Sequence, residues 1–111
     1  MSVVRRELLA VAAGALILQG CSDGEPLSPE ATRGRQVYLA QCTTCHATDP
    51  AEPGPVGPPV QGSSRELLEA KVLRGSYPPG YTPKRSSAVM RPMPELARSL
   101  PDLAAFLGVR L

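Results

Sequence analysis

The sequence predicts a small all-α domain of three main helices joined by long loops. Apolar residues recur with the helical period in three segments, and no segment alternates apolar and polar residues as a half-buried strand does. Residues 47–63 and 76–94 are instead rich in proline and glycine, which excludes a helix interior or a central strand there. Loops this long inside a compact domain usually have a function, so we expect them to pack against something.

The first helix is predicted to begin after Ser28 and to run to about Cys42. Ser28 is a favourable N-cap, Pro29 suits the first helical position, and Glu30 places an acid in the first turn. One face then carries residues at the spacing i, i+3, i+4 and i+7, namely Gly34, Val37, Tyr38 and Gln41.

Two further helices are predicted, near residues 65–74 and from Pro101 onward. Ser63 or Ser64 caps the second helix, and Gly75 ends it. The apolar side of the second helix carries Leu67, Leu68 and Val72. The apolar face of the last helix carries Leu103, Phe106, Leu107 and Leu111.

Length and composition limit the class of protein. The chain of 111 residues suffices for one domain, and its 12 Lys and Arg face 10 Asp and Glu. A net charge of +2 is too balanced for a nucleic-acid-binding surface, so we expect no nucleic-acid partner. Only 4% of the residues are aromatic, so large side chains are scarce and another group is expected to fill part of the core.

Residues 1–20 have the pattern of an export signal. Two arginines precede an apolar stretch, Leu8 to Leu18, that is shorter than the roughly 20 residues needed to span a bilayer. The sequence Leu18-Gln19-Gly20-Cys21 then resembles a bacterial lipobox, which implies cleavage before Cys21, lipidation of Cys21 and a periplasm-facing protein anchored to a membrane. An ordinary signal peptide with a chance cysteine is the alternative. The predicted organisation is a lipoprotein signal peptide at 1–20, a lipidated tether at 21–28 and a globular domain at 29–111.

The most specific motif in the chain is Cys42-Thr43-Thr44-Cys45-His46. C-x-x-C-H is the signature of covalent c-type haem attachment. At positions i and i+3 both thiols project from one side of a helix end, where they can reach the two vinyl groups of a single haem. The motif therefore predicts one covalent haem c held by Cys42 and Cys45, with His46 as a ligand of the iron.

Other interpretations of this motif are a redox C-x-x-C pair, a zinc site and a chance match. A thioredoxin-like pair needs a βαβ frame, which the sequence does not show. Zinc needs four ligands, and after lipidation of Cys21 only Cys42, Cys45 and His46 remain, so a carboxylate would have to complete the site. We favour haem because the motif is specific in an exported bacterial chain.

From about residue 30 to residue 111 the chain resembles the class I cytochrome c family. The resemblance rests on the haem motif with the helix before it, on the segment Gly57-Pro58-Pro59-Val60-Gln61-Gly62, and on Phe106 in the last helix. The segment looks like the family's G-P-x-[LV]-x-G loop, whereas Gly54-Pro55 lacks the matching offsets. The resemblance implies a small cytochrome c fold wrapped around one haem.

Two contacts follow from the same resemblance. The carbonyl of Pro58 is expected to accept a hydrogen bond from the ring N–H of His46, which fixes the ring and raises its basicity. Gly34 is expected to let Phe106 lie close to the first helix, because a side chain at position 34 would push the two helices apart.

The second axial ligand of the iron is expected to be a methionine, since His46 is the only histidine. The mature chain offers Met90 and Met93. By resemblance, the distance along the chain to Phe106 fits Met90, at 16 residues, better than Met93, at 13 residues. The dipeptide Met93-Pro94 resembles the M-P often found at this ligand and favours Met93. We favour Met90, with Met93 as the alternative ligand or as a packing residue on the haem.

The second loop carries two tyrosines and a basic group. Tyr77 and Tyr81 lie in a proline-rich turn, where a hydroxyl could bond a haem propionate or the rings could pack against the macrocycle. The nearby Lys84, Arg85 and Arg91 could neutralise propionates, meet an acidic partner or remain solvated.

The expected function is one-electron transfer between redox proteins, without enzymatic activity. A histidine and a thioether saturate the iron, so substrate has no place to bind, yet an electron can pass through the exposed haem edge. One alternative is a haem-bearing docking subunit of a periplasmic or membrane dehydrogenase or oxidase. Another is a gas sensor with a labile sixth ligand.

Overall fold

A computed structural model describes residues 26–87 and 89–108 of the chain. The predicted signal peptide, the lipidation candidate Cys21 and Leu111 of the predicted last helix lie outside these residues. Within the described ranges the chain is helical and has no strand, in agreement with the predicted all-α class. The helical segments are α1 (Pro29–Gln41), α2 (Arg65–Leu68) continued by a π-helical stretch (Glu69–Leu73), and a 3₁₀ helix (Pro94–Ser99) that leads into α3 (Leu100–Gly108).

Helix α1 begins where the capping residues predict. The hydroxyl oxygen of Ser28 accepts a hydrogen bond from the backbone N–H of Ala31 at 3.1 Å. Pro29 occupies the first turn, where its missing N–H costs nothing, and Glu30 lies near the positive end of the helix dipole. These local signals fix the start of the helix that leads directly into the C-x-x-C-H motif.

Helix α2 begins at Ser64, the second of the two predicted caps, whose side chain accepts from the N–H of Leu67 at 3.1 Å. Its last turn widens into the π-helical stretch, which the sequence did not predict. Gly75, with φ +67°, then reverses the chain, as expected of a glycine after a helix end. The N–H of Ser76 donates back to the carbonyl of Ala70 at 3.0 Å and closes the widened turn.

The last helical region begins earlier than Pro101. The chain becomes 3₁₀-helical at Pro94, and α3 starts at Leu100. Proline is compatible with the first turn of a helix. Both Leu96 and Leu100 are buried, so their packing in the core stabilises the helical form of this segment. The predicted loop of 76–94 therefore extends one residue too far, since the irregular segment ends at Met93, and the predicted start of the last helix is late.

Helices α1 and α3 cross at Gly34, where the two backbones meet. A Cβ atom at position 34 would overlap the carbonyl of Asp102 and lie 2.9 Å from the Cβ of Phe106. The rings of Tyr38 and Phe106 lie 5.5 Å apart beside this crossing. On the solvent side the guanidinium of Arg33 donates to both carboxylate oxygens of Asp102, at 2.9 and 3.0 Å. This hydrogen bond raises the pKa of Arg33 above its ordinary value.

The core is small and lies between the helices and one side of the second loop. Its buried members are Tyr38, Leu68, Val72, Leu96, Leu100, Leu103 and Leu107. The first loop is fixed by backbone bonds, since the N–H groups of Val60 and Gln61 both donate to the carbonyl of Pro50. In the described part of the chain, no helix has the length and apolar character required to cross a membrane.

Candidate functional site

The C-x-x-C-H motif forms a compact turn at the end of α1. The backbone N–H of Cys42 still donates to the carbonyl of Tyr38 at 2.9 Å, as in the helix. The N–H groups of Cys45 and His46 then both donate to the carbonyl of Cys42, at 3.2 and 2.9 Å. This geometry places two thiols and one imidazole within five consecutive residues on a fixed backbone.

Cys42 and Cys45 form no disulfide, and both are half-buried. Burial raises the pKa of the Cys42 thiol to about 11. In the described residues, His, Cys, Asp and Glu side chains form no cluster of three or more that could hold a metal ion by themselves.

The His46 ring is buried and held in one orientation. Its Nδ1 atom lies 2.9 Å from the carbonyl oxygen of Pro58. A carbonyl oxygen can only accept, so Nδ1 carries the proton and Nε2 keeps a free lone pair. This is the contact that the resemblance implies for Pro58, and it fixes the orientation of the ring.

Two glycines of the first loop lie against the motif. A Cβ at Gly57 would come within 2.6 Å of Nδ1 and 2.9 Å of Nε2 of the His46 ring. A Cβ at Gly54 would lie 2.5 Å from the Cα of His46 and 2.6 Å from the backbone nitrogen of Ala47. The N–H groups of Val56 and Gly57 donate to the carbonyl of Cys45, at 3.1 and 2.8 Å. The segment Gly54–Gly57 therefore packs closely against the C-x-x-C-H motif. The contact between Gly54 and the motif was not apparent from the sequence.

We expect Gly57→Ala to destabilise the protein by about 1–3 kcal/mol, because the new methyl group must displace the His46 ring from Pro58. Urea unfolding measures this as a lower midpoint at an unchanged slope. Gly108→Ala is the matched control, since a Cβ there meets no atom within 4 Å. An equally stable Gly57→Ala variant would show that the ring has room to move.

One cavity of about 390 Å³ brings the predicted site residues together. This volume lies within the range of about 300–1,000 Å³ that is usual for cofactor and ligand sites. Its walls are mainly apolar, with Val60, Leu68 and Leu103 among them. The predicted site residues that line it are Cys42, Cys45, His46, Pro58, Tyr77, Tyr81, Met90 and Met93.

The two methionines both line the cavity and are both half-buried. The backbone of Met93 is fixed at both ends: its N–H donates to the carbonyl of Val72 at 2.6 Å, and its carbonyl accepts from Leu96 at 3.0 Å. Met90 packs against the same core cluster. Both thioethers border the cavity, so the choice between Met90 and Met93 stays a prediction.

Tyr77 and Tyr81 stack on each other at the cavity wall. Their ring centroids are 5.4 Å apart and the planes differ by only 14°. The Nζ atom of Lys71 lies 4.4 Å from the centre of the Tyr77 ring, a cation–π contact. Both rings line the cavity, and the choice between a propionate bond and packing on the haem stays a prediction.

Tyr38 is a wall residue that sequence reasoning placed only in the helix core. Its hydroxyl donates to the carbonyl of Ala47 at 2.6 Å and so ties α1 to the residue after His46. Burial raises the pKa of Tyr38 to about 12, and the nearby Cys42 and Asp49 add to the shift, so the phenol remains a neutral donor.

Charge around the cavity has one sign. Among its described lining residues there are four cations, Lys71, Lys84, Arg85 and Arg91, and no Asp or Glu. The predicted basic group is thus part of the cavity wall, and Lys71 extends it. This field favours a ligand or a partner surface that carries carboxylates.

Comparisons with protein-family models, curated proteins and solved structures find no match to this chain.

Proposed function

We propose that this protein is a one-electron carrier of the class I cytochrome c type, with one covalently attached c-type haem. The observation that carries the proposal is that the C-x-x-C-H turn lines one mainly apolar cavity together with two methionines. The small all-helical fold agrees with it, as does the Gly34 crossing of α1 and α3.

The residues of the cavity fit such a group. Cys42 and Cys45 would hold it through two thioethers, and His46 would bind the iron through Nε2. A thioether from Met90, or in the alternative from Met93, would complete the ligand set. When bound, the haem supplies an iron centre that exchanges single electrons.

Residues of this chain would orient the ligands of that iron centre and set its reduction potential. The Pro58 carbonyl holds His46 as the Nδ1-protonated tautomer and leaves Nε2 as the donor atom. A neutral thioether from Met90 or Met93 would raise the reduction potential of the bound iron, because it stabilises the reduced metal better than an anionic ligand does. Apolar walls exclude water, which further disfavours net charge at the centre.

Both protein ligands of the iron would come from this chain. His46 and one methionine would leave no position on the bound iron for a substrate, so the site is suited to transferring electrons and not to catalysis. Electron transfer to and from the haem would then depend on partner proteins that bind at the cavity mouth.

The mouth has features of a docking surface for a redox protein. Val56, Tyr77 and Val89 are 48%, 36% and 64% exposed, and all three line the cavity. Exposed apolar side chains surrounded by cations suit a partner with an acidic rim. A permanent subunit of a dehydrogenase or oxidase would use the same surface, and purification from native membranes separates the two: a free carrier elutes alone, whereas a subunit elutes with its complex.

A redox titration of the purified full-length protein tests the proposal. We expect a c-type absorption spectrum that changes between oxidised and reduced forms with a one-electron dependence on potential. A protein without a reversible one-electron couple, expressed in a host that matures c-type cytochromes, would contradict the function.

The proposed membrane anchor depends on one sulfur. We expect Cys21→Ser to move the protein from the membrane fraction to the soluble periplasmic fraction, because stable anchoring requires more than one acyl chain and Cys21 is the proposed acceptor. Fractionation with a salt wash measures this. A variant that stays bound after the wash would mean that an uncleaved signal or a partner retains it.

A further inference from the structure

Residues 76–87 together with 89–93, which we call the strap, contribute one wall of the cavity. The first end is fastened to the π-helical stretch, where the N–H and the hydroxyl of Ser76 donate to the carbonyl of Ala70, at 3.0 and 3.3 Å. The last end returns to the same helical region, where the N–H of Met93 donates to Val72. Both fastenings therefore lie on one side of the cavity.

The first part of the strap is stiffened by a turn. The N–H of Tyr81 donates to the carbonyl of Pro78 at 3.2 Å, and Gly80 has φ +79°, as position i+2 of a type II turn requires. This turn stacks Tyr77 on Tyr81 and leaves Tyr77 under Lys71. The start of the strap, ahead of Lys84, is therefore held in one conformation.

Lys84 joins the strap to the opposite wall. Its Nζ atom donates to the carbonyl of Pro59 at 2.8 Å, across 25 residues of sequence. The preceding carbonyl, that of Pro58, accepts from His46. The rings of these two adjacent prolines fix their φ angles, which limits how far the two carbonyls can move relative to each other. The carbonyl of Pro58 thus holds the His46 ring, and the next carbonyl holds Lys84.

We propose that Lys84 is a positioning residue, which latches the strap across the cavity and so holds the methionine ligand in place. This inference rests on the proposed function. A charge-assisted bond to a rigid acceptor favours the closed position of the strap, although its exposure to solvent keeps the effect modest. Without the latch, the strap opens more often and the methionine leaves the iron more readily.

Exogenous imidazole reports this opening, because it binds the iron only when the methionine has left. A larger open fraction raises the apparent affinity by the same factor. We expect Lys84→Met to bind imidazole about threefold to tenfold more tightly than the wild-type holoprotein. The side chain that replaces Lys84 keeps an apolar stem of similar length. High ionic strength during the titration screens the effect of the lost charge.

Two variants complete the experiment. Lys84→Arg keeps a cationic donor and should restore the wild-type affinity. Arg74→Met removes one charge outside the cavity wall and should leave the affinity within twofold. Equal affinities for Lys84→Met and the wild type, or no recovery with Lys84→Arg, would overturn the latch while leaving the carrier function intact. A wild-type chain that carries no haem would overturn both.

Discussion

Replacing both Cys42 and Cys45 by serine is expected to abolish the haem-containing protein. Serine preserves the shape and hydrogen-bonding capacity of the turn but cannot form a thioether, so nothing covalent remains to retain the group. Each single variant should lose one thioether and keep the other. Haem-stained denaturing electrophoresis measures the result, because only covalently attached haem stays with the chain.

Cys21→Ser is the matched control for this experiment. It removes one cysteine of the same chain but lies outside the C-x-x-C-H motif, so its haem content should equal that of the wild type. A double Cys42/Cys45 variant that retains haem after denaturing electrophoresis would show that attachment occurs elsewhere and that the motif match is accidental.

Removing the true methionine ligand is expected to lower the reduction potential substantially and to open the iron to imidazole or carbon monoxide. We predict this for Met90→Ala, together with loss of the weak red absorption band of a thioether–iron(III) bond. Met93→Ala should keep the band and lose packing alone, worth about 1–3 kcal/mol at a half-buried site. Spectra, potentials and urea unfolding of both variants separate the two effects.

The two methionines serve as controls for each other, because both line the cavity and pack against the same core. The prediction rests on the 16 residues between Met90 and Phe106. If Met93→Ala alone loses the band, the ligand is Met93, whose backbone N–H donates to the carbonyl of Val72. The segment before the last helix would then be shorter than in the family that the chain resembles.

Local signals in the sequence predicted much of the helical framework. The caps at Ser28 and Ser64 and the stop at Gly75 act within a few residues of themselves, and the structure has all three in these roles. The 3₁₀ helix at Pro94 was missed because burial of Leu96 and Leu100 in the core, and not local preference, makes that segment helical. The π-helical stretch likewise has no signal in composition.

In the site, too, some features were predictable from short sequence patterns and others depend on tertiary contacts. Motif spacing identified the residues that meet in the cavity, since C-x-x-C-H and the loop at Pro58 are short patterns. The close approach of Gly54 to His46 and the bond from Lys84 to Pro59 join segments that are distant in sequence. Such contacts depend on how the two loops fold over each other, which no local pattern encodes.

The central claim is that Cys42 and Cys45 hold one haem covalently, and a mass measurement tests it most directly. The full-length protein is expressed in a bacterial host that exports and matures c-type cytochromes, then analysed intact and after proteolysis. We predict one added haem mass on the intact chain, located on the peptide that contains Cys42 and Cys45. An intact chain without that mass, with both thiols free to react with an alkylating reagent, would contradict the account.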